Sequence, residues 1–563
     1  MPQSVLSLER VQSLLPAPLS ETHLEAILYQ SKAELSARTG DAITIEVTPD
    51  RLDLLSEGGL GLYLQGMAEA AHGCPAIREG GPSARAVSIE VDSSVDSLRP
   101  AIAGVIVTAP DDSGLDAGTL AEAIRFQEIL HATMGLNRRA ASLGIYPIDR
   151  LDPPIRYSLE GLDSLRFVPL DGSEEMTATR FFAEHPMAQR YGALGRDGDR
   201  CLALRDALGT VLSLPPILNS RTGGEAQIGD RAVLLESTGL RSRRVYDTLA
   251  MLMLVFVTRG WSATPVPVHS PAGEDDGRRL LTPRALHLSR GGVDEVAGKG
   301  LSGSEVERYL GQARLSSHPE SGGWRVSVPP WRPDILAEVD LVEEIVLARG
   351  VRPEDGRLPP SATRGHRREE TYFRRRLGLV LMGLGYSPLH TTVLVPEATV
   401  ALLGRSDSIA VTNPVSENLG RLRDALQTSL TDVLARNLRY GYPQRFGEVG
   451  PVIQRDPHAE SGAATRYHLG AFFASESAGF ADAAALVDYC LRTIDVSSVR
   501  EPTELPGTIP GRAARVRVAG DAVAEIGELH PRVLAAIHVP VPVAWAEVDL
   551  SALWPLVRRR TTD

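Results

Sequence analysis

The chain has 563 residues, a formal net charge of −12, 43% hydrophobic residues and 23% charged residues. That length exceeds what one hydrophobic core fills and predicts roughly three to five domains, while the ordinary apolar fraction excludes wholesale disorder. No apolar run approaches the ~20 residues needed to cross a bilayer. The three cysteines, Cys74, Cys201 and Cys490, are far apart and form no CxxC pair, which excludes a disulfide framework and a cysteine-type zinc site. With a start, Met1-Pro2-Gln3-Ser4-Val5, that lacks the basic stretch and apolar core of a secretory signal, the expectation is a cytoplasmic protein without a membrane segment. The negative charge argues against uniform nucleic-acid affinity but leaves a local basic surface open. Only Lys32 and Lys299 are lysines, so 57 of the 59 basic residues are arginine. This usage fits a GC-rich genome, and arginine geometry also permits phosphate contacts.

In chain order, Ala42 to Val47 (Ala-Ile-Thr-Ile-Glu-Val) alternates apolar and polar residues and predicts a half-buried strand. Thr48-Pro49-Asp50-Arg51 breaks it, and Ser56 serves as N-cap of a helix running towards Gly73. A mixed αβ region extends from about residue 90 to 270, punctuated by Pro153-Pro154, Pro215-Pro216 and Thr222-Gly223-Gly224. The polar stretch His269 to Arg279 reads as a linker, followed by a compact unit from Leu281 to Gly350. A second linker, Arg352 to Pro360, precedes a C-terminal region that opens with a long helix near Glu369. No internal repeat or low-complexity segment stands out.

The segment Trp331 to Glu344 carries the densest chemistry. From Ala337 it reads as a helix with an apolar stripe of Leu341, Val342, Ile345 and Val346. Asp340, Glu343 and Glu344 stand at i, i+3 and i+4 and share one face, with Asp334 just upstream. Like charges so close repel unless neutralised, and a hard cation with oxygen ligands such as Mg²⁺ would do so. A solvated acidic face at a helix N-terminus is the other reading, and spacing alone leaves both open. No HExxH, GxxxxGK[ST] or EF-hand loop occurs. His131, His185 and His530 read as capping or core residues, and Arg241, Arg243 and Arg244 as a solvated turn able to touch a phosphate.

Arg332-Pro333-Asp334-Ile335-Leu336-Ala337-Glu338-Val339-Asp340-Leu341-Val342-Glu343-Glu344 resembles the signature of the B5 domain in phenylalanyl-tRNA synthetase β subunits of the archaeal/eukaryotic type. Further stretches are similar to that family in order along the chain. They are Ile45 to Ser56, Leu143 to Tyr146, Phe167 to Leu170, Leu212 to Ile217, Asn413 to Glu417, Pro443 to Gly450, Gly511 to Ala514 and Gly527 to Pro531. The resemblance implies an α+β multidomain chain: an N-terminal αβ domain over 1–88, a B3/B4-like editing-type domain over 89–270, a B5-like domain over 280–350, and a class II synthetase-like antiparallel-sheet core over 365–563. It implies a Mg²⁺ site at Asp334, Asp340, Glu343 and Glu344, shared with a catalytic α subunit in an α₂β₂ heterotetramer that uses ATP and binds tRNA(Phe). It also implies an editing pocket containing Ser213, Glu236 and Thr238 that hydrolyses tyrosine wrongly attached to tRNA. A pocket for phenylalanine rejects an analogue that only adds a hydroxyl poorly, so a second sieve is physically motivated. The sequence departs from the family pattern at Asp50, Leu52, Glu236, Ala337 and Glu344. The C-terminal core lacks the arginine-ended motif that holds ATP in active relatives, so it is expected to be a catalytic fold without the chemistry. The substituted positions motivate one alternative, a divergent paralogue repurposed as an accessory or resistance protein; a third reading is a free-standing aminoacyl-tRNA deacylase or a purely nucleic-acid-binding module.

Overall fold

The structure, a computed structural model, describes residues 1–81, 87–112, 114–350, 363–405 and 407–560. The chain forms two compact units, Met1–Leu358 and Pro359–Asp563. No helix among the described residues is long and apolar enough to cross a membrane.

The first unit opens with a three-stranded antiparallel sheet of β1 (Gln3–Ser7), β2 (Ala33–Thr39) and β3 (Ala42–Val47), in the order β1-β3-β2. The alternation read in β3 is realised: Ile43, Ile45 and Val47 are buried while their neighbours are not. Helix α1 (Glu57–Met67) starts where Ser56 accepts a hydrogen bond from the Gly59 amide. It stops before the expected Gly73 because Glu69 turns into the left-handed region (φ 56°), and the Ala70 amide bonds back to the Gln65 carbonyl.

Two sheets build the middle segment. The first is antiparallel in the order β11-β5-β10-β6, from β5 (Ala101–Thr108), β6 (Ala141–Pro147), β10 (Ala232–Gly239) and β11 (Ser262–Val266). The second is mixed, with the neighbouring strands β9-β8-β7-β4 made of β4 (Ile89–Val91), β7 (Ile155–Gly161), β8 (Arg200–Arg205) and β9 (Val211–Leu214). Strand periodicity assigns the faces. Val233 and Leu235 of β10 and Leu143 and Ile145 of β6 pack with helices α2 (Ala117–Ala132) and α3 (Ser242–Val257). Leu234 and Tyr146 point the other way, into a core shared with Tyr157, Leu204 and Leu212 of the second sheet. Positions 236 and 238 share that inter-sheet face. The stretch His269 to Arg279 is not a linker throughout: Val268–Ser270 and Gly273–Asp275 form an antiparallel hairpin that joins the second sheet beside β4.

The last part of this unit is a sheet of β12 (Arg284–Ser289), β13 (Ser316–Glu320) and β14 (Gly323–Val328), ordered β12-β14-β13, with α4 (Gly303–Gln312) and α5 (Glu338–Arg349) against it. Leu341, Val342 and Ile345 of α5 are buried among Leu310, Trp324 and Val326, as the apolar stripe predicts. Gly66 of α1 is required here, since a Cβ would lie 2.0 Å from the Gln312 carbonyl oxygen.

The second unit holds a seven-stranded sheet from β15 (Ser387–Leu389), β16 (Gln444–Arg455), β17 (Ala463–Ala474), β18 (Val499–Pro502), β19 (Thr508–Val518), β20 (Asp521–Leu529) and β21 (Val543–Asp549). The order is β15-β16-β17-β21-β20-β19-β18, antiparallel except where β15 joins β16. Helices α6 (Glu369–Gly383), α8 (Phe480–Arg492) and α9 (Leu550–Arg560) pack on one face and α7 (Leu426–Arg436) on the other, so both faces are covered. The expected second linker, Arg352 to Pro360, lies outside the described residues.

Candidate functional site

Between the two sheets of the middle segment lies a cavity of about 370 Å³, lined in part by Tyr146, Ser213, Leu214, Ile217 and Glu236. None of the three expected residues is a loop or surface residue: Ser213 sits on β9, Glu236 and Thr238 on β10, and all are buried. Ser213 and Glu236 meet through a residue that sequence reasoning did not single out. The Tyr146 hydroxyl lies 2.9 Å from Ser213 Oγ and 3.1 Å from Glu236 Oε2. Burial pushes the Glu236 carboxyl up to about 8, with Tyr146, the Arg99 charge and Thr238 restraining the rise, so the group is a neutral acid at pH 7. Its Oε1 is buried without a hydrogen-bond partner.

Thr238 belongs to an adjoining cluster. Its Oγ1 accepts from Arg99 Nε at 3.0 Å and lies 3.0 Å from Ser142 Oγ, while Arg99 also donates to the Thr238 carbonyl at 2.7 Å. Burial lowers the Arg99 guanidinium to about 10, which leaves it charged at neutral pH. The sequence signal for Tyr146 was Gly144: a Cβ there would stand 2.3 Å from the Tyr146 hydroxyl, and Gly144 is the register partner of Glu236. At another wall, the Leu143 amide donates to His131 Nε2 at 2.8 Å. The ring proton therefore sits on Nδ1, 3.1 Å from Glu128. His131 is thus a core histidine, while His185 and His530 cap short helices by accepting from the Met187 and Arg532 amides.

The four carboxylates around α5 are already engaged, two of them by one guanidinium. Arg332 donates to Asp334 Oδ2 and to Glu344 Oε1, each at 2.7 Å. Burial would raise the Asp334 carboxyl, but the Arg332 and Arg51 charges hold it below the usual carboxylate range. Asp340 Oδ2 accepts from the Leu336 and Ala337 amides at 2.7 and 2.8 Å, satisfying donors at its own helix entry. Glu343 is 48% exposed and pairs with Lys32 at 2.6 Å, as does Asp50. Arg51 holds Asp53 through two hydrogen bonds of 2.9 Å, and its Nη1, 3.8 Å from Glu344, is buried without a hydrogen-bond partner. The orphaned atom is a cationic N–H, so the cluster is short of an acceptor and not of a cation. Among the described residues no group of three or more His, Cys, Asp or Glu is arranged to hold a metal. As placed, Asp334, Asp340, Glu343 and Glu344 do not fit a resident Mg²⁺, because two guanidiniums, one ammonium and a helix entry already occupy them. Arg241, Arg243 and Arg244 are exposed at the start of α3, beside a cleft of about 440 Å³ that Asp50 and Asp334 also line.

In the second unit, several charged groups on and beside the long strands are paired within the fold. Glu448 of β16 and Arg423 are fully buried and pair at 2.8 Å, and Glu448 also accepts from Thr391 Oγ1. Glu547 of β21 accepts from the Leu426 and Gln427 amides at the start of α7, and His468 Nδ1 lies 2.7 Å away. Burial opposes the His468 charge, yet Asp549 and Glu547 raise its pKa to about 9. Arg445 stacks over the Phe473 ring at 4.3 Å.

Residues 286–351 match the family model of the tRNA synthetase B5 domain, and residues 356–550 that of the phenylalanyl tRNA synthetase beta chain CLM domain. Together with the fold, these matches place the chain in the class of aminoacyl-tRNA synthetase subunits. Phenylalanine–tRNA ligase beta subunits from Haloarcula marismortui and Aeropyrum pernix are each 30% identical to it, covering 95% and 98% of this chain and 96% and 99% of their own lengths. The beta subunit of Korarchaeum cryptofilum is 29% identical over 94% of this chain and 95% of the relative. The crystal structure of an N-terminal fragment of the Pyrococcus horikoshii phenylalanyl-tRNA synthetase beta subunit superposes with a TM-score of 0.57 at 25% identity, covering 62% of this chain and all of that fragment. The chain belongs to the phenylalanine–tRNA ligase β-subunit family.

Proposed function

We propose that this chain is the non-adenylating β subunit of a phenylalanine–tRNA ligase, assembled with a catalytic α-type subunit as an α₂β₂ heterotetramer that acts on tRNA(Phe). The observation that carries the proposal is family membership over nearly the whole length, combined with a C-terminal unit in which Glu448 of the sheet pairs with Arg423 and His468 with Glu547. Such a core has folding work for its charges and offers none of these groups to a triphosphate. ATP, and the Mg²⁺ that accompanies its phosphates, would then belong to the partner's active site. The exposed apolar side chains Tyr372, Leu379 and Met382 of α6, beside a groove of about 520 Å³, suit a partner surface.

The middle segment is read as a B3/B4-like proofreading domain over 89–270, flanked by the N-terminal domain over 1–88 and the B5-like domain over 280–350, with the synthetase-like core over 365–563. Its cavity is lined by apolar side chains such as Leu143, Ile145 and Ile217 together with polar ones, includes the neutral acid Glu236, and lies in the size range of small-ligand pockets. That suits the side chain of a misattached tyrosine, with Ser213 and Glu236 at the recognising end and Thr238 supporting through Arg99. A free-standing deacylase is disfavoured, since the family models cover residues 286–351 and 356–550, outside the cavity. The test is to co-express the chain with an α-type subunit and measure hydrolysis of Tyr-tRNA(Phe) by the purified complex. Hydrolysis that falls to background on Glu236→Ala supports the proofreading role, whereas no hydrolysis by the wild-type complex removes it.

A further inference from the structure

We propose that Tyr146 is a positioning residue that sets the ligand specificity of the inter-sheet cavity. By occupying Glu236 Oε2 and the Ser213 hydroxyl, it leaves Glu236 Oε1 as the buried acceptor of this cluster that has no partner. The cavity then retains an aromatic side chain bearing a hydroxyl donor over the same side chain without one. This rests on reading the cavity as the proofreading site.

The geometry leaves little freedom. Tyr146 and Glu236 lie on neighbouring strands with their side chains on the same face, and Gly144, directly opposite Glu236, clears the path of the phenol. The phenol contacts two oxygens but has one proton to give. Because Glu236 is neutral, its own proton completes the set. On Oε1 that proton would have no acceptor, whereas on Oε2 it reaches the phenol oxygen, and the phenol proton then goes to Ser213 Oγ. Oε1 is therefore the carbonyl oxygen of the acid: it can receive a donor and has none to offer. Oε1 itself has no hydrogen-bond partner, and the Thr238 hydroxyl, although near enough to restrain the rise of the Glu236 carboxyl, is hydrogen-bonded to Arg99 and Ser142. A ligand hydroxyl fills this vacancy, and a ligand without a donor leaves a buried acceptor unpaired. An ether oxygen in the same place meets acceptor with acceptor.

The experiment uses the full-length chain and three soluble probes: L-tyrosinamide, L-phenylalaninamide and O-methyl-L-tyrosinamide. Calorimetry of the wild type should show tyrosinamide binding about tenfold or more tighter than the other two, as expected for a site built around a hydrogen bond. Tyr146→Phe keeps the ring but frees Oε2 and Ser213, so the preference should shrink to about threefold or less, with the thermal midpoint reported alongside to confirm folding. Should that variant not fold, Ser213→Ala, which removes the acceptor of the phenol proton, should lower the preference in the same direction. The wild-type preference should also vary between pH 6 and pH 9, as Glu236 ionises, and lose that variation in Glu236→Gln. Full tyrosinamide preference in folded Tyr146→Phe, or none in the wild type, overturns the assignment. If the probes behave as stated while the assembled complex leaves Tyr-tRNA intact, proofreading fails and the Tyr146 role stands. If Tyr-tRNA is hydrolysed while Tyr146→Phe keeps the preference, the Tyr146 role alone fails.

Discussion

Thr238 and Glu236 differ by two positions on one strand and do different work. Thr238 completes the coordination of a buried guanidinium, so Thr238→Val should destabilise the fold by roughly 1.5–3 kcal/mol, the cost of an unmet hydrogen bond to a charged group. Because Thr238 also restrains the Glu236 carboxyl, probe binding should weaken, though less than in Glu236→Ala, and urea denaturation beside calorimetry separates the two effects. Glu236 imposes a pH dependence of definite sign. Burial raises its pKa in the folded chain to about 8, above the ordinary value of 4.5, so the native state binds the extra proton in that window. Stability therefore falls as pH rises from about 4.5 to about 8, by an amount on the order of a few kcal/mol. Glu236→Gln should flatten this slope, and parallel slopes in the two proteins would contradict the assignment. Ser213 and Glu236 were singled out through the family resemblance alone, and Tyr146, which closes the resembling stretch Leu143 to Tyr146, was not singled out beside them. Its role depends on two strands 90 residues apart lying in register, which no local pattern encodes.

At the scale of elements, α5 shows how a correct helix carries an acidic face with three separate fates. The periodicity placed Leu341, Val342 and Ile345 inside, and they are inside. It could not show that Arg51, far away in the sequence, is buried 3.8 Å from Glu344, nor that Arg332 bends back over Asp334. Arg332→Ala leaves Asp334 and Glu344 buried with too little positive charge, and should cost about 3–5 kcal/mol. Removing divalent ions with EDTA should leave the thermal midpoint of the isolated chain unchanged. The double variant Asp340→Asn, Glu343→Gln should lose only about 1–2 kcal/mol, from one helix-entry contact and one exposed ion pair. A Mg²⁺-dependent rise in the midpoint that this double variant abolishes would restore the ion to these carboxylates. Helix α3 gives a similar lesson. Val245 to Phe256 is buried nearly all round, as an element packed from several sides must be. Its core runs without a break into Ile43 and Leu60, so the expected boundary at residue 88 divides segments of sequence but not the packing.

For the whole molecule, the order of similar stretches along the chain was the most informative signal, because it tests many positions at once and survives the loss of any one. The proposal that the C-terminal sheet carries no ATP chemistry draws support from its buried Arg423–Glu448 pair and its capped α7, whose charges are engaged within the fold. The measurement that bears most directly on the central claim is phenylalanine-dependent ATP–pyrophosphate exchange by three preparations: this chain alone, an α-type subunit alone, and the two combined. The account predicts no exchange above background from this chain alone, and full exchange with tRNA(Phe) charging from the combined preparation. Exchange by this chain free of any partner, or a combined preparation in which the two chains neither associate nor charge tRNA, would contradict it.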